Sequence, residues 1–118
     1  MTGNEYQKLA AITIDDDVLS FKGEEYHALH GMTKNIGEIN SIYQKMYEGR
    51  RFDESRMMEE LGDLLWFIAE YCTSQNWDLE NIMKLNIEKL RDLYPVQFSS
   101  ERNISKEEEV FKMNRREI

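Results

Sequence analysis

Cysteine and proline are nearly missing from this chain: Cys72 and Pro95 are the single examples of each among 118 residues. One thiol cannot close an internal disulfide, which points to a reducing compartment. Cys72 stands among Ile68, Ala69 and Tyr71 and reads as a buried thiol, a poor nucleophile. Long hydrophobic runs are lacking too. The opening stretch MTGNEYQKLA has no signal-peptide core, and no apolar run approaches the ~18 residues of a membrane span. A soluble cytoplasmic domain without membrane contact is therefore expected. Positive charge is scarce: 15 Lys and Arg against 23 Asp and Glu give a formal net charge of −8. That balance argues against nucleic acid or an anionic membrane as partner. A small phosphorylated ligand remains possible where metal cations neutralise the site.

What is present is helical periodicity. Apolar residues fall at three- and four-residue steps, and the β-branched alternation of strands is scarce. Tyr6, Leu9, Ala10 and Ile12 predict a short first helix, interrupted by the acidic segment TIDDDVLS. A second helix is predicted over 24–48, with Tyr26, Leu29, Met32, Ile36, Ile39, Tyr43 and Met46 forming its apolar stripe. Gly49 is a good stop. Asp53 can cap a third helix whose stripe includes Met57, Leu61, Leu64, Leu65, Ile68 and Cys72 and which ends near TSQN. Asp78 can cap a fourth, with Leu79, Ile82, Met83, Leu90 and Leu93 inward, until Tyr94-Pro95 breaks it. The expected organisation is a helical domain over 1–98 and a polar extension over 99–118. A capping pattern at Ser105 and Glu108 can start a last docking helix there, with Val110, Phe111 and Met113 on its apolar side. Short links between long helices imply antiparallel neighbours, hence an all-α protein. A chain this short buries a modest share of its surface, so burial between subunits would help it.

The chemistry lies where the greasy helices are interrupted by acids. In EELGDLLWF, Glu60 and Asp63 sit three apart; in KNIGEIN, Asn35 and Glu38 do the same. Side chains at i and i+3 share one helix face, roughly 5–6 Å apart at Cβ. If the second and third helices pack antiparallel, four oxygen-bearing side chains converge. Carboxylates gathered away from water repel and lose hydration unless a cation sits among them. Oxygen-only ligation suits Mg²⁺ or Mn²⁺ better than zinc. Gly62 and Gly37, each beside an acid and each unfavourable within a helix, suggest that both helices yield space. The plainer alternative is that these acids form a solvated helix face.

At these residues the sequence resembles the MazG-like family of all-α nucleotide pyrophosphohydrolases, whose pattern is E-E-x-x-E, a spacer, then E-x-x-D. The second half stands as Glu60-Leu-Gly-Asp63 inside MEELGDLLWF, and the resemblance runs from NEYQKLA through NIGEI to NIEKLRDLYPVQFSSER. It implies an antiparallel four-helix bundle completed by oligomerisation, as dimer or tetramer, often with sites formed between subunits. It implies hydrolysis of a (d)NTP to the (d)NMP and pyrophosphate, with Mg²⁺ holding the phosphates and activating a water. Carried over by position, Glu38, Glu60 and Asp63 are metal ligands and catalytic groups, with Asn35 as a further ligand. Lys89 and Asn86 meet the nucleotide, with Lys84 beside them. Lys45 adds positive charge for the phosphates, and Trp66, otherwise a core residue, can stack on a base. His27 and His30 are expected at the surface.

The chain also departs from the family pattern. Lys34-Asn35 replaces the first pair of glutamates, Phe67 stands where tyrosine is common, and Leu93 stands where arginine is common. An amide offers a metal a carbonyl oxygen without charge. Two functions from different classes follow: a Mg²⁺-dependent pyrophosphohydrolase with a modified metal shell, or a module that binds and sequesters a nucleotide or nucleotide signal without turnover. A helical oligomer without ligand leaves the glycine-flanked acids unexplained.

Overall fold

The computed structural model describes residues 1–15 and 23–99. Among these the regular structure is four helices: α1 (Gly3–Ile12), α2 (Gly23–Tyr47), α3 (Glu54–Ser74) and α4 (Leu79–Leu93). No strand occurs among the described residues, and no helix is long and apolar enough to cross a membrane. The proposed last helix from Ser105, with Val110, Phe111 and Met113, lies outside the described residues, as does most of TIDDDVLS. The chain divides into two compact units, Met1–Asn81 and Ile82–Ile118, the boundary falling inside α4.

Local chemistry sets the helix ends. The Thr2 hydroxyl accepts from Glu5 N–H at the start of α1, and the Asp53 carboxylate accepts from Arg56 N–H at the start of α3. After α2 the chain turns back at Gly49, whose φ of 86° is the left-handed conformation a Cβ disfavours. Arg50 N–H donates to Lys45 C=O at 3.1 Å and Gly49 N–H to Met46 C=O at 3.0 Å, the paired bonds of a Schellman turn. α4 begins differently from the expectation, with Asp78 exposed. Leu79 N–H donates to Gln7 Oε1 at 2.7 Å and Glu80 N–H to Asn4 Oδ1 at 3.2 Å. Its first amides are thus satisfied from α1, seventy residues away in sequence.

Within the first unit α3 is central. Asn35 meets Glu60 and His27 meets Glu70, so α2 runs antiparallel to α3. Gln7 meets Thr73 and Thr13 meets Trp66, so α1 does the same. The buried face of α2 is Ala28, Asn35 and Ile42, spaced by seven. The predicted stripe lies one residue on, about 100° further round the helix: Leu29, Ile36 and Tyr43 are each about half exposed, with Tyr26 and Met46 beside them. Small residues allow α2 and α3 to approach closely, and the large apolar groups are displaced to the flank. The same correction applies to Leu9 and Ile12 on α1, to Leu61 and Leu65 on α3, and to Ile82, Met83 and Leu93 on α4, all exposed in the chain. Ala10, Ala69, Cys72 and Leu79 complete the buried apolar set.

The close approach is at Gly31, where an added Cβ would overlap the Phe67 ring. Gly37 and Gly62 do not make room for a neighbour, since a Cβ at either meets nothing within 4 Å. Gly31→Ala should lower stability by about 1–3 kcal/mol through overpacking. Gly62→Ala should raise it by up to about 1 kcal/mol through helix propensity. Urea denaturation of both variants checks the pair.

Candidate functional site

The α2–α3 groove carries a polar seam through a helix pair that otherwise packs small and apolar groups. At its middle Asn35 and Glu60 are buried, 4% and 8% exposed. Asn35 Nδ2 donates to Glu60 Oε2 at 2.6 Å. Its carbonyl oxygen, Oδ1, is buried and accepts from no group among the described residues. Glu38, one turn on along α2, shares a hydrogen bond with Glu60, and Asp63 acts on Glu60 through its charge. Burial first, then the Glu38 carboxyl and the Asp63 charge, push the Glu60 pKa up, while the Asn35 amide pulls it down. Asp63 also faces Tyr6 of α1, whose phenol is pushed up by burial and then by this charge. A hollow of ≈ 130 Å³ opens beside the seam, lined by Gly31, Lys34, Asn35, Glu38, Asp63 and Phe67.

The donor set suits a hard divalent cation. It is made of oxygens alone, one of them a buried carbonyl lacking a partner among the described residues, and it includes the Glu60 carboxyl, whose pKa burial and then its acidic neighbours push up. Among the described residues no three Asp, Glu, His or Cys side chains are already gathered closely enough to enclose an ion. Glu38 is half-buried and Asp63 exposed, so both have room to turn inward. Lys34 Nζ stands 4.0 Å from Glu38 Oε1, with most of its side chain in solvent, an ordinary surface pair.

Towards the start of α3, Arg56 Nε lies 3.9 Å from Glu60 Oε1. Beyond it Lys45 lines a second hollow with Arg50, Arg51, Asp53 and Arg56. Towards the other end Trp66 Nε1 donates to Thr13 Oγ1 at 2.8 Å and its ring meets Phe67 edge-on. Trp66 is half-buried and tied to α1, as a core residue would be. Lys84, Asn86 and Lys89 lie on α4 in the second unit, all exposed. Lys84 lines a shallow groove there with Met83, Ile87, Glu88 and Arg91.

Residues 30–98 match the family model for the MazG nucleotide pyrophosphohydrolase domain. The chain belongs to this family. Neither a curated protein nor a solved structure matches it. The matched segment contains Asn35 and Glu38 on α2, Glu60 and Asp63 on α3, and Lys84 and Lys89 on α4.

A second polar cluster, nearly three turns along α3 from Glu60, is not foreshadowed by the sequence reading. Glu70 is 1% exposed, and both its oxygens contact His27 Nδ1, at 2.8 and 2.9 Å. His27 is exposed, as expected, but its ring nitrogen is tied to the buried Glu70 carboxylate. Glu24 lies close by, its pKa raised by burial and then by the Glu70 charge. Glu70 follows Asp63 by seven residues, a spacing that places both on one side of α3. That spacing was the available signal. Cys72 is buried as expected, and burial pushes its thiol pKa up, which leaves it unsuited to nucleophilic work. A hollow of ≈ 390 Å³ between α1 and the end of α3 is structural. Its Gln7 amide is spent on Trp77 C=O at 2.8 Å and the Thr73 hydroxyl at 3.3 Å.

Proposed function

We propose that this protein hydrolyses a (d)NTP to the (d)NMP and pyrophosphate in a Mg²⁺-dependent reaction, with Mn²⁺ as a substitute, at the Asn35–Glu38–Glu60–Asp63 seam. The observation that carries this reading is the pairing of Asn35 with Glu60. Among the described residues, a buried carbonyl oxygen without a donor stands beside a carboxyl whose pKa is pushed up by burial and then by the Glu38 and Asp63 carboxylates. Both faults are relieved by one cation. Bound there, Mg²⁺ would neutralise the phosphates and lower the pKa of an attacking water. The water oxygen forms its bond to the α-phosphorus and the bridging α–β P–O bond breaks. Pyrophosphate leaves with the electron pair, and a groove carboxylate takes the water proton. Glu38 and Asp63, the less buried acids, are placed to accept that proton and to turn towards the cation. Lys45, on the same helix as Glu38, supplies charge towards the phosphates. Lys84, Asn86, Lys89 and Trp66 are carried as nucleotide contacts.

The exposed stripe of Leu29, Ile36 and Tyr43 supports a homo-oligomer, dimer or tetramer, in which that face is covered. The acidic balance supports a small nucleotide, and not nucleic acid or an anionic membrane, as partner, and the single cysteine supports a cytoplasmic protein. The test is a panel of canonical and altered nucleotides incubated with Mg²⁺ or Mn²⁺, followed by thermal shift and by chromatography of products. Metal-dependent appearance of monophosphate and pyrophosphate is the expected result. Stabilisation by nucleotide without product would overturn the enzyme in favour of a sequestering module, and neither signal would leave a structural oligomer.

A further inference from the structure

The turn between α2 and α3 concentrates positive charge in a protein that has little to spare. Lys45, Arg50, Arg51 and Arg56 surround a hollow of ≈ 120 Å³, with Ile42 as its floor and Asp53 as its one acidic lining residue. Asp53 Oδ1 is already engaged by Arg56 N–H at 3.1 Å. Among the described residues, Lys45, Arg50 and Arg51 have no carboxylate within salt-bridge distance, while Arg56 reaches only as far as Glu60. In a chain of net charge −8, three cations held together with no carboxylate partner among the described residues repel one another, and an anion between them removes that repulsion.

The backbone brings them there deliberately. The Schellman turn at Gly49 folds Arg50 and Arg51 back towards Lys45, and the Asp53 cap fixes where Arg56 leaves α3. The hollow also lies at the N-terminal end of the 21-residue α3, where the helix dipole favours negative charge. At ≈ 120 Å³ and lined by four cations, it is of a size and charge to take phosphoryl groups.

Its position relative to the acidic seam gives the hollow a specific task. Along α3 the order is Phe67, Asp63, Glu60, Arg56, Asp53; along α2 it is Gly31, Asn35, Glu38, Ile42, Lys45. From Glu60 to Asp53, or from Glu38 to Lys45, is about 10 Å of helix, a span that long arginine side chains shorten from one end. Arg56 connects the two places, lining the hollow while its Nε sits 3.9 Å from Glu60.

We propose that the Lys45–Arg50–Arg51–Arg56 hollow binds the terminal phosphates of the substrate, the part that leaves as pyrophosphate, so that the nucleotide lies along the α2–α3 groove with its phosphate end at the Gly49 turn. The proposal rests on the pyrophosphohydrolase reading of the seam and adds the direction in which substrate lies. As the α–β bond breaks, the leaving group gathers negative charge where these cations stand, and electrostatic stabilisation there favours the step. The nucleoside end points towards Gly31 and Phe67. Triphosphates are then favoured over diphosphates, whose leaving group is too short to reach Arg50 and Arg51.

The experiment compares the intact protein with Arg50→Ala/Arg51→Ala and with the charge-keeping Arg50→Lys/Arg51→Lys. Both arginines are exposed, and the turn is held by backbone bonds, so the variants should fold. Inorganic pyrophosphate with Mg²⁺ is titrated by calorimetry, beside a nucleoside monophosphate as control. In the alanine pair pyrophosphate affinity should fall at least tenfold, monophosphate affinity should hold, and kcat/KM for a triphosphate should fall more than for a diphosphate. The lysine pair should recover most of the loss. Unchanged pyrophosphate affinity, or an equal loss for monophosphate and pyrophosphate, overturns the proposal while leaving hydrolysis at the seam intact. Arginine-dependent pyrophosphate binding in a protein that hydrolyses no nucleotide overturns the enzyme reading and keeps the anion site.

Discussion

Glu60→Gln should abolish pyrophosphate release, by on the order of 10³-fold or more, while raising the melting temperature measured in EDTA. The two effects share one cause. Glu60 is buried beside Glu38 and under the charge of Asp63, and its pKa is raised for those reasons, burial foremost. A carboxyl with a higher pKa folded than unfolded binds more protons in the native state. Its stabilising contribution is therefore full below the unfolded pKa and lost as pH rises through the folded one. Metal-free protein should accordingly lose stability as pH climbs from mildly acidic to neutral, and the glutamine variant should lose less. A glutamine can still accept from Asn35 Nδ2 through its carbonyl and can donate to Glu38, so the hydrogen bonds survive without the charge. What it cannot do is supply an anionic ligand. Asp63→Asn should abolish activity similarly with a smaller change in stability, because Asp63 is exposed. Melting curves at several pH values with and without Mg²⁺, beside product assays, check both. Retained turnover in both variants would remove the seam from the chemistry.

Asn35→Glu should act in the opposite direction, and its effects divide sharply according to metal. In EDTA a fourth carboxylate joins Glu38, Glu60 and Asp63 at a position where Asn35 is 4% exposed, and the amide that now donates to Glu60 is lost. An uncompensated buried charge of this kind costs on the order of 3–5 kcal/mol, so the metal-free variant should be strongly destabilised. With Mg²⁺ the added charge becomes a ligand. Stability should return, the metal midpoint should fall, and kcat should rise, by about tenfold if the missing charge limits water activation. Metal titration of the melting temperature, in parallel with initial rates, distinguishes this outcome from simple damage. A variant that no Mg²⁺ concentration rescues would show that Asn35 serves packing and does not stand in for a ligand.

Much of this was readable in the sequence because it depends on nearest neighbours along the chain. The Asp53 cap, the Gly49 stop and the Leu93 terminus before Tyr94-Pro95 are local chemistry, and the structure places them as the residues dictate. The facing of Asn35 and Glu60 follows from i, i+3 spacing plus a short antiparallel link. What was not readable depends on contacts distant in sequence. The start of α4 takes its acceptors from Asn4 and Gln7, which no inspection of residues 76–82 would suggest. The buried face of α2 is one residue away from its most hydrophobic stripe, because Gly31 and Ala28 let the helices close and leave the larger groups at the flank. Gly37 and Gly62 looked like relief for a close neighbour, yet both open to empty space. Glu70 was passed over because its neighbours Ala69, Tyr71 and Cys72 make an isolated acid look incidental. Its partner lies forty-three positions earlier.

The His27–Glu70 contact and the Asn4 and Gln7 acceptors bear on where this domain can be cut. The family match begins at residue 30, past all three of those side chains. A fragment trimmed to that boundary would keep Glu70 and discard the imidazole that answers it. It would also strip two amides at the head of α4 of their acceptors. Boundaries drawn by likeness of sequence mark what relatives hold in common, while the stretch that must travel together to fold starts at the first helix.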